Sequence, residues 1–204
     1  IDMKHISILT FILLLVIKVS AQNKVYTIDN VPEVRLTDRT QYVSDPENIL
    51  SREAKSTINN LLYKLEEETT IETAVIVVPS IGVEDCFDFS HQLFNKWGVG
   101  KKEKDNGLVI LLVTDQRCIQ FYTGYGLEGD LPDAIAKRIQ TQDMLPYLKE
   151  GDWDNGMIAG VNSVYHRLIK LGLTGNENNS TGGESDSFWG LIFIIFVPIL
   201  LFTI

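Results

Sequence analysis

Apolar positions along the chain follow two periods in its middle and form unbroken blocks at its two ends. Between Ser51 and Glu68, Ile58, Leu61, Leu62 and Leu65 recur at three- and four-residue spacing. That spacing predicts a helix with one buried stripe, and Ser51 stands where its N-cap belongs. The period changes at Ile71 to Val78, where Ala74-Val75-Ile76-Val77-Val78 is a continuous, largely β-branched run. Such a run predicts a central strand covered on both faces. Helical spacing returns from Glu84 to Trp97, with Phe87, Phe89, Leu93, Phe94 and Trp97 as an aromatic face for the sheet. Leu108 to Val113 and Cys118 to Tyr122 read as two more strands, joined by the polar hairpin turn Thr114-Asp115-Gln116-Arg117. Leu131-Pro132-Asp133 opens a helix that directs Ala134, Ile135, Ile139 and Met144 inward. A last helix, from about Trp153 to Leu171, presents Met157, Ile158, Val161, Val164, Tyr165 and Leu168. With Tyr42 to Leu50 as an extended entry and turn, the order predicts an α/β fold: a three-layer α/β/α sandwich on a mixed, mostly parallel sheet of about four strands.

The terminal blocks carry a different message. Met3, Lys4 and His5 precede an apolar run from Ile6 to Val19, and Val19-Ser20-Ala21 supplies the small residues read at a cleavage site. Residues 1–21 are therefore expected to be a signal peptide, with Ile1 and Asp2 as an artefact before the initiator Met3. Phe188 to Ile204 is a run of Trp, Leu, Ile, Phe and Val interrupted only by Gly190, Pro198 and Thr203, and is expected to be a transmembrane helix. It is slightly short for a span and no Lys or Arg follows it, so it reads as a marginal C-terminal anchor or a truncated reading frame. The polar stretch 174–187 between them reads as a flexible linker, 22–41 as an extended N-terminal segment, and 42–173 as the domain proper. The domain is thus expected at the cell membrane, on its extracytoplasmic (periplasmic) side.

The chain carries 27 acidic against 18 basic residues, a net charge of −9. All but one of the acidic residues fall between Gln22 and Ser187. That balance excludes nucleic acid as a partner, which needs a basic face, and suits divalent cations. Cys86 and Cys118 have no second cluster to form a metal site. The helical setting of one and the strand setting of the other favour two buried thiols over a disulfide.

Candidate chemistry lies in loops rich in carboxylates and glycines: Ser44-Asp45-Pro46, Lys104-Asp105-Asn106-Gly107, and the stretch from Gly124 to Asp133. Ligands of open α/β sheets bind at strand ends, where such loops sit. Oxygen-only donors without His or Cys point to a hard cation, calcium or magnesium, rather than zinc. The same residues also suit ordinary turns, Asp105-Asn106-Gly107 through backbone torsion and Asp133 through the helix dipole. Nucleophile elbows, phosphate-binding loops and His-Glu-x-x-His are absent from the sequence. His91 and His166 fall within helices, and Glu66-Glu67-Glu68 reads as a solvated helix end.

Three signatures in order carry a family resemblance. They are Val43-Ser44-Asp45 with Leu50-Ser51; Leu93-Phe94-Asn95-Lys96-Trp97-Gly98-Val99-Gly100 followed by Asp105-Asn106-Gly107; and Gly124-Tyr125-Gly126-Leu127-Glu128-Gly129 with Leu131-Pro132-Asp133. From Tyr42 to about Leu171 the chain resembles the TPM domain, a family of thylakoid-lumen, photosystem-repair and receptor-modulator proteins. The resemblance implies an exported α/β/α domain that holds calcium in its acidic loops, at the matching positions Asp45, Asp105, Glu128 and Asp133. It also implies either an interaction or quality-control module for membrane-complex proteins, or a metal-dependent acid phosphatase, an activity described for a plant member. Lys101, Lys102 and Lys104 are the phosphate clamp that the second expectation requires. Pro132 replaces the more usual Thr or Ser, which removes a hydroxyl next to Asp133.

Overall fold

The structure is a computed structural model that describes residues 24–100 and 103–180. The expected signal peptide, the transmembrane segment, residues 181–187 of the linker, Lys101 and Lys102 lie outside the described residues. Among the described residues, no helix is long and apolar enough to cross a membrane.

Four strands form one sheet in chain order: β1 (Val43–Ser44), β2 (Glu72–Val78), β3 (Gly107–Val113) and β4 (Cys118–Thr123). The pairs β1–β2 and β2–β3 are parallel, and β3–β4 is antiparallel. This is the mixed, mostly parallel sheet expected from the sequence. Side chains alternate along β2 and β3, so each strand supplies two cores. Val75, Val77, Leu108, Ile110 and Leu112 face one layer, and Ala74, Ile76, Val78, Val109, Leu111 and Val113 face the other.

The first layer consists of α1 (Arg52–Thr69) and α5 (Trp153–Ser180), with α3 (Asp133–Arg138) and α4 (Leu145–Lys149) beside them. Ser51 caps α1 as expected, accepting from Ala54 N at 3.1 Å. The helix predicted from Leu131 is divided: α3 passes into a π-helical turn, Ile139–Met144, before α4 begins. Met144 and Leu148 there meet α5 at Gly156 and Gly160, where an added Cβ would lie 2.4 Å from their side chains. Ala134 is exposed, against the expectation, while Ile139 and Met144 are buried. Helix α5 continues to Ser180 instead of ending at Leu171. Extending a helix already nucleated on a packed body costs less than starting one, which carries it into the polar segment read as linker.

The second layer contains one long helix, α2 (Cys86–Trp97), capped by Asp85 through bonds from Phe87 N and Asp88 N. A single helix cannot cover this face. The N-terminal segment completes the cover: Val25 bridges to Ser80, Tyr26 and Val31 are buried, and the Tyr26 hydroxyl donates to Glu47. The segment read as merely extended therefore belongs to the domain and includes a short 3-10 turn, Val34–Leu36. Phe87, assigned to the buried aromatic face, is 51 % exposed. Cys86 and Cys118 are joined as a disulfide between α2 and β4, not left as two thiols.

Candidate functional site

Residue alignment across the sheet separates the predicted ligands into two groups. Ser44 is level with Ile76, and Ile76 with Leu111, so Asp45 lies toward the C-terminal end of the parallel strands. Asp105 instead precedes β3, whose first residue Gly107 pairs with Glu72. The offset is roughly seven residues of strand, or ~20 Å at ~3.3 Å each. One ion cannot bridge that distance. Asp45 is also fully engaged where it is: its side chain is buried, Oδ1 accepts from Ile49 N at 2.9 Å and Oδ2 from Leu50 N at 3.0 Å. Lys55 Nζ stands 3.4 Å from Oδ2. Asp45 holds the turn that leads into α1, and a single four-carboxylate site is not formed.

The other three expected ligands belong to the opposite end of the sheet, where the turn before β3 meets the loop after β4. Asp105 takes a left-handed conformation, φ +47°, which Asp tolerates better than most residues. Its carbonyl accepts from Gly126 N at 3.0 Å, and its Oδ2 accepts from Tyr125 N at 3.0 Å. The turn sits so close that a Cβ on Gly124 would lie 2.3 Å from Asp105 O, and one on Gly126 2.0 Å from Lys104 O. This contact is why the loop needs two glycines, neither of which has positive φ. Gly107, expected to supply the positive φ of its turn, is there for the same steric reason, since its Cβ would meet Val99 O at 2.1 Å.

Glu128 and Asp133 line a cleft of about 520 Å³ with Tyr122, Thr123, Lys137 and Gln140. Asp133 opens α3, and Lys137 and Gln140 follow it at helical spacing on the same face. Gln140 is only 9 % exposed. The Tyr122 hydroxyl titrates above the usual tyrosine value, first because of burial and then because Asp105 and Glu128 oppose a phenolate beside them. Loops separated in sequence thus put negative potential on one phenol. Sequence reasoning missed Tyr122, Thr123, Lys137 and Gln140; the spacing from Asp133 to Lys137 and Gln140 is the signal that identifies the helical pair.

The donors are oxygens only, as a hard cation requires. Among the described residues, no group of three or more His, Cys, Asp or Glu side chains converges as a metal cage. Glu128 and Asp133 share the cleft, and Asp105 stands across the loop from it. Lys104 Nζ donates to Thr70 Oγ1 at 3.0 Å and so faces away from the cleft.

The family model described as TPM domain matches residues 43–167. Among curated proteins, UPF0603 chloroplastic proteins of Oryza sativa subsp. japonica and Arabidopsis thaliana are 32% and 31% identical over 77 residues. Those alignments cover 37% of this chain and 26% and 27% of the plant proteins, so the matched stretch spans about a quarter of their length. Among solved structures, the solution structure of the N-terminal domain of a P. gingivalis protein aligns with TM-score 0.69 and 38% identity. It covers 72% of this chain and 94% of that one. The BA42 protein of Bizionia argentinensis shares the fold at TM-score 0.53 and 20% identity, covering 62% of this chain and 86% of that chain.

Proposed function

The chain belongs to the TPM domain family, and on that premise we propose that its domain binds a divalent cation, calcium or magnesium, at the loop cluster of Asp105, Glu128 and Asp133. In this reading the cation stiffens the loops of an exported interaction or quality-control module for membrane-associated proteins. The apolar blocks at 6–19 and 188–204 support export and a membrane anchor. The observation that carries the reading is the placement of Glu128 and Asp133 on one cleft, beside the turn through which Asp105 is bonded to the Gly124–Gly126 loop. A bound cation would neutralise these carboxylates.

Asp105→Ala and Asp133→Ala should each weaken calcium affinity about tenfold, which corresponds to about 1.4 kcal/mol. Isothermal titration of both variants checks this; wild-type affinity in both would reduce the loops to a structural role. Calcium should also lower the titration midpoint of Tyr122, because neutralising the carboxylates removes two causes of its rise and leaves burial. The difference between ultraviolet pH titrations of wild type and Tyr122→Phe isolates this one phenol. An unchanged midpoint at saturating calcium would place the ion elsewhere.

A metal-dependent phosphatase is the second reading, and Lys137 in the cleft favours it. A bound cation would polarise a phosphate oxygen there. Lys137 would hold the phosphate, a role for which Lys104 is turned away. Calcium- or magnesium-dependent hydrolysis of p-nitrophenyl phosphate that is lost in Lys137→Ala would select this reading; no turnover would leave the binding module.

A further inference from the structure

Strand β4 ends the sheet, and among the described residues no strand pairs with its far side. One step beyond the Leu108–Thr123 pair, Gly124 N donates to Gly107 O at 2.9 Å, which fixes the alternation along the antiparallel ladder. Tyr122, Gln120 and Cys118 therefore bond to β3, while Ile119, Phe121 and Thr123 turn their N–H and C=O groups outward. The Phe121 carbonyl is taken by Gln120 Nε2 at 2.8 Å. Ile119 and Thr123 are partly exposed, and their outward groups have no partner among the described residues. An open strand edge is ordinarily blunted by Pro, a bulge or a charge. The strand Cys-Ile-Gln-Phe-Tyr-Thr, in unbroken register with β3, carries none of these.

Two adjoining cavities make a groove along this edge. One of about 360 Å³ follows Cys118 and Ile119, and the cleft of about 520 Å³ follows Phe121 to Thr123; Phe87, Gln120, Lys137 and Gln140 line both. Gln140 sits in the π-helical turn Ile139–Met144, a local widening that recurs at functional sites. Although the residue is only 9 % exposed, its side-chain amide makes no hydrogen bond among the described residues. The amide atoms are not sealed in, as the Thr73 hydroxyl is, and so stand open to the groove. Buried polar groups are nearly always paired, so an amide with neither donor nor acceptor in use marks where both belong. A peptide group supplies both. Arg117 and Lys137 line the Cys118 end and have no ion pair among the described residues. The one carboxylate lining that end, Asp85, caps α2, while Glu84 and Asp115, bonded to Gln92 Nε2 and Gln116 N, do not line it. Glu128 and Asp133 line the opposite end.

We infer that this groove takes the free C-terminal segment of a partner protein as a short strand antiparallel to β4, its backbone bonded to Ile119 and Thr123 and one of its peptide groups to the Gln140 amide. Antiparallel addition brings the guest's carboxylate to the Cys118 end, beside Arg117 and Lys137. Ile119 to Thr123 spans ~13 Å at ~3.3 Å per residue, so about six guest residues cover the edge. Alternate guest side chains face Phe87 and Tyr122, whose ring centres are 5.6 Å apart, and those positions suit apolar residues. Strand addition obtains affinity from main-chain bonds, and capture of the carboxylate selects a chain end. The inference rests on the interaction-module reading and names its partner; it does not depend on the cation.

The test uses the purified chain, labelled with nitrogen-15, and an acetylated hexapeptide alternating threonine and valine with a free carboxylate, against the same peptide ending in an amide. The acid should shift the backbone amides of Ile119 and Thr123 and the side-chain amide signal of Gln140, and the amidated peptide should bind at least fivefold more weakly. Gln140→Met keeps the length of the side chain and removes its amide, so the variant should melt no lower than wild type. It should nevertheless bind the acid about fivefold more weakly, the effect of one lost hydrogen bond. The peptide titrations are run in EDTA, so the cation reading is judged by calcium shifts alone. The inference is overturned by no shift at Ile119, Thr123 and the Gln140 side chain with millimolar acid peptide, by equal affinity for both peptides, or by undiminished binding in Gln140→Met. Peptide shifts confined to another surface would overturn it and leave the interaction-module reading standing. Shifts at Ile119 and Thr123 that grow with protein concentration in the absence of peptide would make a second copy the occupant and overturn it equally.

Discussion

Asp45→Ala should lower the unfolding free energy by about 3 kcal/mol and leave calcium affinity unchanged. The carboxylate is buried and accepts the Ile49 and Leu50 amides. Hydrogen bonds to a charged acceptor contribute about 1.5–3 kcal/mol each, and truncation leaves two amide donors at the start of α1 without that acceptor. The nearby Lys55 ammonium, 3.4 Å away, loses its counter-charge as well. For a domain of this size the melting temperature should fall by roughly 10 °C. Asp45→Asn should lie between, because its amide keeps one acceptor and presents a donor to the second N–H. Circular dichroism melts of the three proteins, with a calcium titration of each, check the account. A loss below about 1 kcal/mol, or a fall in calcium affinity with stability intact, would return Asp45 to the metal site.

Gly126→Ala should cost about 2–3 kcal/mol, the range for forcing a methyl into a closed contact. The obstacle at 2.0 Å is the Lys104 carbonyl, and the Asp105 carbonyl follows at 3.0 Å, so only a movement of the turn relieves it. That movement breaks the bond from Gly126 N to Asp105 O and carries Asp105 away from the cleft. Calcium affinity should therefore fall with stability. Gly129→Ala is the control: nothing lies within 4 Å of its added Cβ and its φ is not positive. It should be neutral or slightly stabilising through the unfolded chain. Equal effects at Gly126 and Gly129 would mean that flexibility, not close approach, explains the glycines of this loop. Urea denaturation of both variants distinguishes the cases.

Strong local patterns identified the architecture. The β-branched run of β2 and the stripe of α1 each have one physical solution, and Ser51 caps where its sequence says it should. Features that depend on distant partners were illegible. Asp45 and Asp105 look alike in sequence, yet strand direction places them at opposite ends of the sheet. Tyr26 and Val31 are buried because α2 alone leaves that face uncovered, which no local period records. Glu66 reads in sequence as one of three solvated glutamates, but Arg35 and Tyr42 fold onto it. Phe87 satisfies the helical stripe but sits against Tyr122 with half its surface in water, ring centres 5.6 Å apart. Of the candidate site, the glycines and carboxylates of the two loops were readable; Tyr122, which feels two of those carboxylates, was not.

The most direct measurement is a calcium titration of the nitrogen-15-labelled chain, with amide shifts recorded residue by residue. The account predicts shifts at Asp105 and from Thr123 to Asp133, with none around Asp45. Shifts centred on Asp45, or none anywhere at millimolar calcium, would contradict it.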